Sequence, residues 1–238
     1  MRKYFISTML LILMLAACAP AQSSTESPVD EIPATVPPVE TKEPLDPVEE
    51  NVVNRLAENL GLDESEISVV SHETVEFSDA CLGITLQDVN CAQVTTPGRI
   101  IILKANNIEY EYHTDRSGKR IQPATLALTW KREGGIAGFC DNLRVFLSGE
   151  VHAYKCGDPS EAKIGSFANL LSADEVQQFN AWTTEFGQVT LDASDPKGVS
   201  DRMEVVLELQ GLGNDNPSDA EQQLLIAWAQ DLFRKLYT

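Results

Sequence analysis

The side chains of this chain able to do chemistry are three histidines, several acidic pairs and a set of spaced cysteines. His72, His113 and His152 fall on three separate segments that read as strands. His72 beside Glu73, with Asp79 nearby, has the residue types of an acid–base group; the plainer alternative is a solvated strand histidine. No His-Glu-x-x-His helix, Gly-x-Ser-x-Gly elbow or phosphate-binding glycine loop occurs. Asp192 with Asp195, and Asp215 between Asn214 and Asn216, have the character of turn formers. The latter cluster also lacks the downstream bidentate glutamate that an EF-hand-type calcium loop needs. No catalytic residue, metal ligand or cofactor is expected, and the chain reads as a non-enzyme.

Of five cysteines, Cys18 belongs to the N-terminal signal. The remaining four, Cys81, Cys91, Cys140 and Cys156, are an even number in a chain with secretory features, which suggests disulfides. A four-thiolate zinc site wants short Cys-x2–4-Cys spacings, and these are absent. Three connectivities exist. Proximity favours Cys81 with Cys91. A hairpin register pairing Val145 with Val151 and Leu143 with Ala153 puts Ser148-Gly149 in the turn and Cys140 opposite Cys156.

The elements that position these residues follow from periodicity. Val52, Val53, Leu56, Ala57 and Leu60 recur at helical spacing, from about Pro47 to the C′ glycine Gly61. Ile67 to Phe77 reads as a strand whose imperfect alternation at Val70 and Thr74 predicts a bulge or an edge position. Ile100 to Ala105 and Ile108 to His113 are strands joined by Asn106-Asn107. A helix followed by this antiparallel meander resembles the small PepSY-type modules of secreted bacterial proteins. In the second half, Ser172-Ala173-Asp174-Glu175 and Ser218-Asp219-Ala220-Glu221 are capping boxes that open two amphipathic helices. Met203, Val205, Leu207 and Leu209 alternate as a half-buried strand. The fold class expected is α+β, two small modules over residues 48–123 and 124–238, each an antiparallel sheet with helices packed on it.

Leu126, Leu128 and Trp130 alternate before a glycine-rich run, and Leu143, Val145 and Leu147 alternate after it. Between them, Gly134, Gly135, Ile136, Ala137 and Gly138 contain no acid, base, nucleophile or metal ligand. Such a run makes either a strand corner or a contact surface. Gly211-Leu212-Gly213 is a second glycine pair; at the same end of the sheet, the two loops would flank one edge.

The strand ending in Trp130-Lys131-Arg132-Glu133-Gly134-Gly135-Ile136-Ala137-Gly138 is followed by a hairpin, a capped helix, an alternating strand and a last helix. This order resembles the emfourins, small bacterial protein inhibitors of thermolysin-like (M4) zinc metalloproteases. The resemblance spans residues 124–238; Cys140, Cys156 and everything before residue 124 depart from it. It implies a secreted or envelope metalloprotease as partner, with Gly134, Gly135, Ile136, Ala137, Gly138, Gly211 and Gly213 as the partner-binding residues. The rival expectation is a cell-envelope binding lipoprotein that holds a peptide or protein by strand addition.

Arg2 and Lys3 precede the apolar run Met9–Met14, and then Leu15-Ala16-Ala17-Cys18. This is a secretory signal over residues 1–18, too short to span a bilayer, and its end resembles the bacterial lipobox. The alternative is an ordinary signal with a chance cysteine. Residues 19–47 are rich in Pro, Glu, Ser and Thr and read as a disordered tether. The net charge of −18 repels nucleic acid and anionic headgroups. A monomer is expected, anchored to the bilayer through acylated Cys18 in the cell envelope, facing the periplasm or the exterior. Labelled palmitate should therefore enter the wild-type protein and not Cys18→Ser; equal labelling of both refutes the anchor.

Overall fold

In the computed structural model, which describes residues 44–85, 89–157 and 169–237, the chain enters its first helix, α1 (Pro47–Leu60), at Asp46. The Asp46 carboxylate accepts from the backbone N–H of Val48 at 2.8 Å and of Glu49 at 3.1 Å. Glu49 returns a bond to the Asp46 N–H, completing a capping box, and Pro47 sits at the first turn. Burial alone would raise the Asp46 pKa. The Arg99 guanidinium and the two N–H groups outweigh it and hold the carboxyl below its ordinary range. Gly61 takes the left-handed conformation and closes the helix, as its spacing predicts. The signal, Cys18 and nearly all of the tether lie outside the described residues.

The first sheet is an antiparallel meander: β1 (Ser68–Phe77), β2 (Thr96–Ala105), β3 (Ile108–Asp115) and β4 (Ile121–Pro123), in that order. The irregularity predicted in β1 is a register shift between Val69 and Ser71. Asn106 and Asn107 both have positive φ and turn β2 into β3. The Cys81–Cys91 disulfide closes the β1–β2 connection, with the two Cα atoms 5.6 Å apart.

The second sheet contains β5 (Leu126–Gly134), β6 (Phe139–Phe146), β7 (Glu150–Lys155), β8 (Asn169–Leu170), β9 (Gln188–Asp192) and β10 (Met203–Gln210). Their spatial order is β8-β7-β6-β5-β10-β9. The β6–β7 register pairs Leu143 with Ala153 and Val145 with Val151, as the sequence predicts. Its continuation brings the Cys156 N–H to the Cys140 carbonyl at 3.1 Å, and the two side chains form the second disulfide. Both predicted capping boxes are present, opening α2 (Ala173–Glu185) and α3 (Asp219–Leu236). Leu225, Ala229, Leu232 and Phe233 of α3 are buried, and Phe233 meets Trp130 of β5. Phe179 of α2 stacks on Trp228 of α3. Among the described residues the fold is α+β, two antiparallel sheets with three α-helices.

Residues 48–123 and 124–238 each carry one sheet, yet both sheets drain into one hydrophobic cluster. Val52 and Leu56 of α1, with Ile101, Leu103 and Tyr112, belong to the same core as Leu128, Trp130, Val145, Phe179 and Leu225. A buried ion pair crosses between the halves. Arg55 Nε of α1 donates to Glu150 Oε1 at 2.9 Å, and the Glu150 carboxylate has no exposure while Arg55 keeps 27 %. Ser148 Oγ donates to the second oxygen. Beside them, burial, then the Glu150 charge, raises the Tyr112 hydroxyl pKa well above its ordinary value, keeping it neutral.

Removing one partner of such a pair strands a buried charge, whereas replacing both with apolar groups is often nearly neutral. Arg55→Met should cost about 3 kcal/mol in denaturant unfolding. The double variant Arg55→Met/Glu150→Met should recover most of that loss. A single variant within about 1 kcal/mol of wild type would show that the pair does not hold the halves together.

Candidate functional site

The glycine run is the tip of the β5–β6 hairpin. Gly134 pairs with Phe139, and the Gly138 N–H donates to the Gly135 carbonyl at 3.0 Å, so Ile136 and Ala137 form the crest of a four-residue turn. Of the two possibilities open from sequence, corner or surface, the hairpin supplies elements of both. Gly134 is required by the fold: its φ is +85°, and a Cβ there would overlap the Arg202 carbonyl oxygen. Ile136 is 92 % exposed, and none of the described residues covers it. An isoleucine so exposed buries almost no apolar surface and adds little to the core.

The base of the tip is clamped on both faces. On the helix side, Arg132 reaches across to Asp141, with Nε to Oδ2 at 2.9 Å. Its guanidinium also lies 4.0 Å from the Phe139 ring centroid and 5.7 Å from that of Trp130. Asp141 is almost fully buried, so the pair is shielded from solvent. On the opposite face, Cys140 pairs across the strand with Glu133 and is covalently tied to Cys156 beyond β7. Lys131 and Glu133 bridge at 2.8 Å on that same face. A third tie comes from the flank, where the Gly135 N–H donates to the Arg202 carbonyl at 3.1 Å. The tip is therefore a preorganised protrusion rather than a loose loop.

Gly211 and Gly213 do not share this surface. Met203 pairs with Gly134 and Leu209 with Leu128, so the end of β10 lies at the opposite end of the sheet. There the 211–215 segment closes α2: Leu212, Gly213 and Asp215 donate to the carbonyls of Thr183, Phe186 and Glu185. A Cβ at Gly211 or Gly213 would overlap those carbonyl oxygens. Their smallness serves helix termination. The loop that does accompany the tip is the β9–β10 connection, residues 193–202, within which the sequence singles out only Asp195, with Asp192 just before it, as turn formers. Asp192 and Asp195 act in that role, accepting from the Ser194 and Met203 N–H groups at 2.9 Å each.

The histidines remain on separate strands. His72 meets Glu49 of the α1 capping box. His113 stacks on Phe77 and lies between the Leu82 carbonyl, 2.6 Å away, and Glu111, 2.7 Å away. The His152 ring packs 4.9 Å from that of Tyr154. Among the described residues, the two groupings with metal-ligand atoms in reach each include a disulfide pair, Cys81–Cys91 beside Asp79 and Cys140–Cys156 beside Glu133. Oxidised sulfurs of this kind are not thiolate ligands.

Gly134→Ala should cost more than about 2 kcal/mol in thermal or denaturant unfolding, since left-handed strain adds to the clash with Arg202. Gly138→Ala, with φ +63° and open space around its Cβ, should cost only the strain, about 1–2 kcal/mol. Equal losses would mean that the Arg202 contact does not constrain the tip.

Residues 49–123 match a family model described as a domain of unknown function (DUF8738). The match covers most of α1 and all of the first sheet, and ends at Pro123, before the hairpin strands begin. No curated protein and no solved structure matches the chain.

Proposed function

We propose that the protein is a non-catalytic, lipid-anchored inhibitor that works outside the cytoplasm by seating the Gly134–Gly138 tip in the cleft of a thermolysin-like metalloprotease. The observation that carries this reading is Ile136, an apolar side chain 92 % exposed at the crest of a hairpin clamped on both faces. An anchor of this type suits an apolar pocket, and its flanking glycines admit it to a narrow cleft without side-chain clashes. The likeness of residues 124–238 to the emfourins supplies the class of target. The tip offers no good zinc ligand, so inhibition is by occlusion of the cleft. Two disulfides agree with an oxidising location.

Strand addition, the rival mode, finds one candidate in β1, a ten-residue strand at the edge of the first sheet. That edge carries a bulge after Val69 and the acids Glu73 and Glu76, which are devices that discourage pairing. The tip is the better-formed surface.

The full chain at micromolar concentration should slow thermolysin. Ile136→Ala should weaken inhibition about 10- to 100-fold, as for a buried interface anchor, with thermal unfolding unchanged. If the folded wild-type protein slows no M4 protease tested, the inhibitor reading fails and an envelope binding role replaces it.

A further inference from the structure

His113 of β3 has more acceptors around it than a neutral imidazole can serve. The residue is buried, and its ring stacks on that of Phe77 with the centroids 5.1 Å apart. Gly98 of β2 leaves room for that stacking, since a Cβ there would meet the Phe77 ring at 2.7 Å. His113 Nδ1 faces the Leu82 carbonyl at 2.6 Å, and Nε2 faces Glu111 Oε1 at 2.7 Å. A neutral ring has one N–H and one lone pair, so it donates to only one of them. Both contacts are hydrogen bonds only when the His113–Glu111 unit holds one extra proton. That proton makes it either imidazolium beside carboxylate or neutral ring beside carboxylic acid. The Leu82 carbonyl belongs to a tight turn, residues 78–84. Asp79 Oδ1 accepts from the Cys81 and Gly83 N–H groups at 2.8 and 3.1 Å, and Arg120 donates to the Ala80 carbonyl at 2.9 Å. Leu82 is fully buried with φ at +57°, and Ile84 shares a small apolar cluster with Phe146 of β6.

We propose that His113 and Glu111 form a proton-held latch that fastens the 78–84 turn to β3, closed in acid and released as the pH rises. The latch stands apart from the inhibitor reading. When the extra proton leaves, the one remaining ring proton goes to Glu111, because a carboxylate accepts more strongly than a carbonyl. The Leu82 carbonyl then faces the Nδ1 lone pair, and a buried acceptor has lost its donor. Glu111 is the acid in contact with the ring. Farther charges are Asp115 on β3, Glu73 on β1 across Ile100, and Asp79 in the turn. The β3–β4 connection adds Arg116, Lys119 and Arg120, all exposed, with Arg120 bonded to Asp115. Beside the ring, β2 and β4 pair it with the uncharged Ile100 and Gln122. The sign follows from proton counting. An unfolded histidine gives up its proton at about pH 6.5, whereas the closed latch keeps one. Its contribution is therefore complete in acid and is lost as the pH rises.

The test follows hydrogen exchange at the Gly83 and Ile84 amides of the full chain from about pH 6 to about pH 8.5, corrected for the intrinsic rate. Wild type, Glu111→Gln and His113→Phe are compared. The new amide of Glu111→Gln can donate to Nε2, which leaves the single proton of a neutral ring on Nδ1 for Leu82 at every pH. Wild-type protection should fall about tenfold or more as the pH rises, as for loss of a buried hydrogen bond. Glu111→Gln should hold the acid value throughout, and His113→Phe should show the low value throughout. His72 and His152 are common to wild type and Glu111→Gln, so the difference between those two belongs to the latch. Wild-type protection that is flat with pH overturns the proposal, and so does a Glu111→Gln curve that falls with the wild type. If His113→Phe does not fold, the comparison of wild type with Glu111→Gln decides alone.

Discussion

A fully buried carboxylate, Glu150 at the start of β7, sets the terms for the whole assembly. A charge with no solvent contact persists only if cations and donors meet it, because its desolvation otherwise costs several kcal/mol. Arg55 of α1 and Ser148 of the β6–β7 turn meet it here. The first helix is thereby held against the second sheet, and the shared core of Val52, Leu56, Tyr112, Val145 and Val151 closes around that junction. Hydrophobic burial supplies most of the stabilisation, but it is non-directional. The ion pair adds the direction, fixing which side of α1 faces which turn.

From that junction the β6–β7 hairpin runs as one stiff element to the opposite end of the sheet. At its start lies the Glu150 pair; at its far end lies the Cys140–Cys156 disulfide. β6 is also the second strand of the β5–β6 hairpin, so the braced element delivers rigidity directly to the tip. Arg132, bonded to Asp141 and packed between Phe139 and Trp130, ties the tip to the aromatic core beneath α3. Rigidity matters because an interface gains affinity when ordering costs are met during folding rather than during docking.

Much of this was legible in sequence where local chemistry and periodicity agreed. The capping boxes at Ser172 and Ser218, the Asn106-Asn107 turn, the irregularity near Val70 and the cysteine pairings all follow from short-range patterns. The two-residue β8, the three-residue β4 and the five-residue β9 are too short to show a period, and they exist because a longer neighbour offers them a ladder. Asp46 as a helix cap was also within reach of the rules, since it precedes Pro47 and stands three residues before Glu49. Gly211 and Gly213 illustrate the limit. A glycine pair signals close backbone approach, but which backbone approaches is a property of the sheet order, and β10 crosses to β5 only in three dimensions. The same crossing hid the 193–202 loop, whose place beside the tip depends on the pairing of Met203 with Gly134.

Among the described residues Ile136 is the most exposed large hydrophobic side chain, which on the proposed reading makes the tip the working end of the molecule. Among the described residues the sheet edges are poor places for a partner: β8 offers two residues, β4 three, β9 five, and β1 is interrupted by its bulge and carries Glu73 and Glu76. A net charge of −18 favours solubility, whereas an exposed apolar side chain at a protrusion is mildly unfavourable in the free protein. Ile136 could be serine without loss to any core contact. Under the proposed reading, its position at the crest of a turn braced on both faces serves contact with another molecule, and the two glycines before it and the one after Ala137 keep that contact narrow.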